Sequence, residues 1–137
     1  MKYYAVIDTN VLVSAMLKWE SVLGTVLLEA LTGKITPLLN GEIVQEYRDV
    51  LSRPKFHFPS EAVEVFMEGL TRRGLFVDAG PVEEILPDPK DVVFYEVVME
   101  ARRSEEAYLV TGNLKHFPSK TFDVTPREML DILGIQP

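Results

Sequence analysis

Apolar positions in this 137-residue chain form short continuous runs, separated by longer stretches where they recur at helical spacing. Tyr3–Ile7 is the first run, β-favouring and uninterrupted, as expected of a strand buried on both faces. Residues 21–31 read as a helix closed by Gly33, and Ile35–Leu39 as a second strand. The next helix covers residues 42–51 and stops before Pro54. Ser60–Arg73 forms another, with Ser60 as N-cap, Glu61 and Glu64 in its first turn and Gly74 after its end. Residues 75–77 make a short strand, 81–89 an acidic loop punctuated by proline, and 88–103 the longest helix. Ala107–Val110 and residues 121–124 are the remaining strands. Thr125-Pro126-Arg127-Glu128 joins an N-cap, a proline at the first helical position and a glutamate three after the cap, which predicts a helix over 127–133. Strands separated by helices pair in parallel through right-handed crossovers, so the expectation is one layered α/β domain over residues 1–137.

Composition narrows the chemistry. Hydrophobic residues at 47% and charged residues at 26% are ordinary globular usage. The absence of Cys excludes disulfides, a thiolate nucleophile and cysteine-held zinc or iron–sulfur sites. With only His57 and His116, a three-imidazole metal site is excluded too, so any metal must be held mainly by oxygen. A net charge of -7 argues against holding nucleic acid by bulk positive charge, but not against a nuclease whose bound cations act locally. The apolar run before Asp8 is too short for a signal-peptide core or a membrane span, so a cytoplasmic location is expected.

Sites in parallel sheets form beyond the carboxyl ends of the strands. Asp8-Thr9-Asn10 follows the first strand directly, and Thr111-Gly112-Asn113 follows Tyr108-Leu109-Val110. A carboxylate without a partner is costly beside such apolar runs. Asp8 therefore reads either as the N-cap of a helix from Val11 onward or as a metal ligand supported by Thr9 or Asn10. On the helix 42–51, Glu46 borders the arc of Ile43, Val44, Tyr47, Val50 and Leu51, about 40° from Val50, whereas Glu42 and Asp49 lie toward solvent. Glu46 is thus the candidate ligand on this helix, against the alternative of a boundary residue paired with a surface cation. Asp88-Pro89-Lys90-Asp91 has the make-up of a helix start, with Asp88 as N-cap. Asp91 also borders the arc of Phe94, Val97, Val98 and Ala101, while Glu96, Glu100 and Arg103 fall on the solvent side. Three acids from separate elements plus an Asn113 amide oxygen would form an oxygen cage for Mg²⁺ or Mn²⁺. Like charges gather only where a cation offsets them, and a hard ion polarises phosphoryl oxygens, which fits phosphodiester hydrolysis.

These residues, in order and spacing, resemble the PIN-domain ribonucleases, and among them the VapC-like toxins of toxin–antitoxin pairs. The resemblance runs from Ala5-Val6-Ile7-Asp8-Thr9-Asn10-Val11-Leu12-Val13-Ser14 through Ile43-Val44-Gln45-Glu46-Tyr47-Arg48-Asp49-Val50-Leu51-Ser52-Arg53-Pro54-Lys55-Phe56. It continues in Asp88-Pro89-Lys90-Asp91 and ends in Tyr108-Leu109-Val110-Thr111-Gly112-Asn113-Leu114-Lys115-His116-Phe117-Pro118. It implies a three-layer α/β/α fold around a mostly parallel sheet, and a ribonuclease using Mg²⁺ or Mn²⁺. The family's acidic quartet falls on Asp8, Glu46, Asp91 and Asn113, where the wider family often carries Asp. The change to Asn removes a negative charge, weakening the case for a second ion while leaving a one-ion site. Asp88 is a further candidate, and Thr9 and Thr111 would sit beside the ligands and orient them. The resemblance also implies a protein antitoxin and a homodimer.

Candidate RNA contacts are Arg48, Arg53, Lys55, His57, Lys115 and His116, each otherwise a solvated surface residue. His116 reads as a general base or as a structural residue bonded to nearby backbone. Trp19 stacks on a base or packs under its loop. Val63, Phe66, Met67 and Leu70 share one helical face, suited to the core or to a partner. Two other enzyme classes fit less well. A haloacid-dehalogenase-like phosphohydrolase needs a second Asp where Asn10 stands, and the paired N-terminal acids and late Lys of a receiver domain are missing. A non-enzymatic RNA- or protein-binding module of the same fold is the remaining alternative.

Overall fold

The computed structural model describes residues 2–135. Five strands, β1 (Tyr3–Ile7), β2 (Ile35–Leu39), β3 (Leu75–Phe76), β4 (Ala107–Val110) and β5 (Asp123–Val124), form one sheet in the order β3-β2-β1-β4-β5. Every pairing is parallel, as the alternation of strands and helices predicts. Six helices flank it in the expected α/β/α arrangement: α1 (Thr9–Leu17), α2 (Val22–Thr32), α3 (Gly41–Leu51), α4 (Ser60–Arg73), α5 (Val92–Ala101) and α6 (Pro126–Leu133). The central strand β1 is buried along Ala5, Val6 and Ile7, and the largest fully buried side chains include Tyr47, Tyr95, Phe94 and Leu12. Among the described residues, no single helix is long and apolar enough to cross a membrane.

Local chemistry explains the helix boundaries. Ser21 caps α2 by accepting from the Gly24 amide at 3.1 Å, and Gly33 closes it at φ 103°. Asn40 caps α3, and Thr125 and Glu128 form a reciprocal capping box at α6. Gly24 is required by a close approach: a Cβ there would fall 1.9 Å from the Trp19 carbonyl oxygen. On α4, Val63, Phe66, Met67 and Leu70 are all buried, so that face belongs to the core.

Several expectations are corrected here. Ser60 is the first residue of α4 and not its cap; Pro59 takes the cap position and makes no side-chain cap bond. The helix anticipated over 88–103 is shorter and begins with a separate 3-10 turn, Pro89–Asp91, before α5. Asp88 draws that turn tight by accepting from the Lys90 amide at 3.0 Å. The edge strands β3 and β5 are also shorter than the apolar runs suggest, because each has a neighbour on one side only.

Candidate metal centre

Parallel pairing of β1 with β4 sets Ile7 beside Val110 and brings Asp8 and Thr111 together at their carboxyl ends. The Asp8 amide donates to the Val110 carbonyl at 2.9 Å, which extends the ladder by one residue. Asp8 occupies the N-cap position of α1, yet its side chain makes no cap bond. Its Oδ2 instead accepts from Thr111 Oγ1 at 2.8 Å. The helix-cap alternative therefore does not account for the Asp8 carboxylate, which is buried and turned toward β4.

Glu46 reaches the same region from α3. Its Oε2 accepts from Thr9 Oγ1, on the residue after Asp8. The neighbouring Tyr47 is fully buried and donates its hydroxyl to the Ile7 carbonyl at 2.5 Å, pinning α3 to the end of β1. Its ring also meets Phe94 of α5, with centroids 6.2 Å apart. The sequence marks Tyr47 only as one member of an apolar arc. Burial raises its hydroxyl far above the ordinary range, and the Asp8 and Glu46 carboxylates push it further, so it stays a neutral donor.

Asp88 behaves as a cap, but Asp91 does not: it holds the N-cap position of α5 without a side-chain cap bond. Its Oδ2 lies 3.5 Å from His116 Nδ1, and His116 Nε2 lies 3.0 Å from Asn113 Nδ2. The Asn113 amide N–H donates to Thr111 Oγ1 at 3.0 Å. His116 thus bonds to a side chain and not to the backbone group anticipated from the sequence. A chain of contacts runs from Asp8 through Thr111, Asn113 and His116 to Asp91.

The acids act on one another. Asp91 is pushed from an ordinary 3.8 up to about 6, first by burial, then by Asp8 and Asp88 and more weakly by Glu46, with His116 opposing. As the side chains stand, however, no group of three or more His, Asp or Glu among the described residues is close enough to hold an ion. Asp8 and Glu46 each take a threonine donor, and they line different clefts. One, of about 210 Å³, is bordered by Asp8, Asn10, Gly112 and Asn113; the other, of about 350 Å³, by Glu42, Glu46, Lys90 and Glu96. The donor set, carboxylates with one amide oxygen, has the chemistry of a hard divalent cation's ligands, and such a charge would offset the part of the Asp91 shift that comes from Asp8, Asp88 and Glu46 rather than from burial.

Glu96, placed on the solvent side by its helical position, lines the Glu46 cleft, and burial and Glu42 both raise it. The helix wheel missed this because it describes one helix, whereas the cleft is made by α3 facing α5. Among the cations, Arg53 and Lys90 share a cleft with Glu46, while Arg48 is ion-paired to Glu64 of α4. Lys55 and His57 are exposed; Lys55 Nζ sits 5.1 Å from the Phe56 ring centre, and Phe56 stacks on Phe58. Lys115 is exposed beside His116, and Trp19 is 40% exposed in the loop before α2.

A family model described as a PIN domain matches residues 4–115, a span that includes Asp8, Glu46, Asp88, Asp91 and Asn113. No curated protein and no solved structure matches the chain.

Proposed function

The chain belongs to the PIN-domain family, and from that premise we propose that it is a Mg²⁺- or Mn²⁺-dependent endoribonuclease, the cytoplasmic toxin of a toxin–antitoxin pair. PIN domains are generally nucleases and typically use divalent metals. Asp8, Glu46 and Asp91 would hold the cation, with the Asn113 side-chain oxygen as a neutral fourth donor. When bound, a hard divalent ion supplies polarisation of a phosphoryl oxygen and stabilises the charge that develops as the phosphodiester is hydrolysed. Thr111 and Thr9 hold the Asp8 and Glu46 carboxylates at the strand end. Tyr47 keeps α3, which carries Glu46, against the end of β1, which Asp8 follows. Arg53 and Lys90, in the Glu46 cleft, are positioned for RNA phosphates, with Lys55 and Lys115 further out. Arg48 contributes less, because Glu64 already neutralises it.

The observation that carries this reading is the state of Asp91. Burial first, and then the carboxylates of Asp8, of the neighbouring Asp88 and, more weakly, of Glu46 raise its affinity for a proton, and a divalent cation would offset the part that comes from those charges. The test is cleavage of a broad RNA panel by the purified chain with Mn²⁺ and with EDTA. Cleavage is expected only with Mn²⁺, and is expected to disappear in Asp8→Asn and Glu46→Gln proteins that remain folded. If the panel stays intact and neither substitution alters toxicity in cells, the second reading holds: a PIN-fold module that binds RNA or protein without cutting. Asn113, one charge short of the family's frequent Asp, is what favours that second reading. Partnership with an antitoxin, and a homodimer, belong to the toxin proposal. A small gene immediately upstream whose product suppresses toxicity would support them.

A further inference from the structure

We propose that the cleft of about 210 Å³ beside Asp8 takes a single nucleobase of the RNA, with Asn10 and Ser14 as the residues that read its edge. The inference rests on RNA being what the chain acts on, and not on whether the chain cuts it.

The observation is a division of chemistry between the clefts. Those bordered by Glu46 also hold Glu42, Asp49 and Glu96, together with the cations Lys90 and Arg53. The cleft beside Asp8 holds one formal charge, the Asp8 carboxylate, which is buried and already bonded to Thr111. Its other walls are neutral, with Val11 and Leu23 as apolar surface and Asn10 and Ser14 among the polar groups. Apolar surface with a few placed polar groups is what a small uncharged ring needs. A nucleotide has the same two halves, a charged phosphate and an uncharged base with a polar edge.

Asn10 and Ser14 lie four residues apart on α1, one turn from each other on the same helical face. Both are exposed, and among the described residues neither side chain takes a hydrogen bond within the chain, whereas Thr9 is committed to Glu46 and Thr111 to Asp8. An amide carries donors and an acceptor, and a hydroxyl serves as either. Two such groups at a fixed spacing suit the donor and acceptor pattern of one base edge better than that of another, which is how side chains discriminate bases. An unpaired base can be turned out of its stack to reach them. Asp8 borders the same cleft, so a base held there belongs to a nucleotide at the candidate metal centre. The opposite face of α1, with Val11, Leu12 and Ala15, is buried and fixes the helix independently of Asn10 and Ser14.

The test is methyl NMR of the full chain, with Val11 and Leu23 as reporters and EDTA present so that no cleavage intervenes. The probes are four short ribo-oligonucleotides, each carrying one base, A, C, G or U, between abasic positions. The Val11 and Leu23 methyl shifts are expected to saturate, with about fivefold or more between the tightest and the weakest base, the smallest step that one good edge contact supplies. Asn10→Ala is expected to weaken the tightest probe roughly five- to a hundredfold and the weakest hardly at all. Arg53→Ala, which removes a phosphate contact, should weaken all four alike. Ser14→Leu fills the cleft from an exposed helical position, and should abolish the titration while the melting temperature stays as in the wild type. Equal affinity for the four bases, a preference that survives Asn10→Ala, or binding that survives Ser14→Leu overturns the proposal. Methyls that no probe moves overturn it too, and leave the cleft to a protein partner. Absence of cleavage with Mn²⁺ sinks the nuclease reading alone, and the titration in EDTA still decides the base cleft.

Discussion

Thr111 Oγ1 donates to Asp8 Oδ2 at 2.8 Å, joining residues 103 positions apart at the ends of adjacent parallel strands. Both are buried, Thr111 completely. A carboxylate in that setting needs donors, and β4 supplies one because its register with β1 is fixed by the core on either side. The same hydroxyl accepts from the Asn113 backbone N–H, so one threonine aligns two candidate site residues.

Replacing Thr111 by Val should therefore cost more than a surface threonine would. Loss of a hydrogen bond to a buried charged acceptor is worth about 2 kcal/mol. Urea unfolding of Thr111→Val is expected to show a loss of that order, with Thr111→Ser close to wild type. Equal stability of all three proteins would mean that water satisfies Asp8 equally well.

The raised Asp91 gives a sign to the pH dependence. Its carboxyl ionises near 3.8 when unfolded and at about 6 when folded, so the native state holds the proton more tightly. Between those values the native protein binds more protons than the unfolded chain, and this contribution to stability falls as pH rises. Below the window it is fully present; above pH 6 it has gone. Melting temperatures of metal-free wild type and Asp91→Asn, measured from pH 4 to 7, should diverge with the variant gaining on the wild type. Parallel curves would show that neither burial nor the neighbouring charges shift Asp91 on folding.

Gly24 offers a purely structural prediction. Alanine is preferred over glycine in a helix by about 1 kcal/mol, so a free site would be stabilised. Here the added methyl would meet the Trp19 backbone oxygen, which cannot swing aside as a side chain can. Overpacking of this kind costs typically about 1–3 kcal/mol, so Gly24→Ala is expected to lower the melting temperature. A rise would indicate that the 18–20 loop yields freely.

Arg53 tests the substrate side of the nuclease reading. If it contacts a phosphate, Arg53→Ala should raise KM for RNA and leave kcat nearly unchanged, because such contacts bind substrate and transition state alike. A contact of about 1 kcal/mol corresponds to roughly fivefold. The salt dependence of RNA binding should flatten by about one unit of slope. A lowered kcat with KM unaltered would place Arg53 in the chemistry instead.

How much could be read in advance differs from element to element. β1 and β4 are uninterrupted apolar runs and β2 is broken only at Thr36, and their buried positions coincide with the predicted strands because both faces of a parallel sheet are covered. Thr125 and Gly33 are boundary signals whose chemistry is local, so they act as caps wherever the helix packs, whereas Ser21, which the sequence places inside its helix, is that helix's cap. Ser60 was misread because a cap depends on backbone geometry at the entry to the helix, which Pro59 sets. Glu96 was misplaced because facing helices do not follow from one helix's periodicity.

Asp8, Glu46, Asp91 and Asn113 could be picked from the chain as polar residues at strand ends and arc borders, since a strand end and a helix face are short-range properties. Their relations to one another could not. That Asp8 leans on Thr111, that Glu46 turns to Thr9, and that one imidazole spans Asp91 and Asn113 all depend on strand register and on how α3 and α5 dock. Short-range periodicity carries the elements because backbone hydrogen bonding is local. Partners for buried charges come from chain segments far away, and folding alone brings those to within 3 Å.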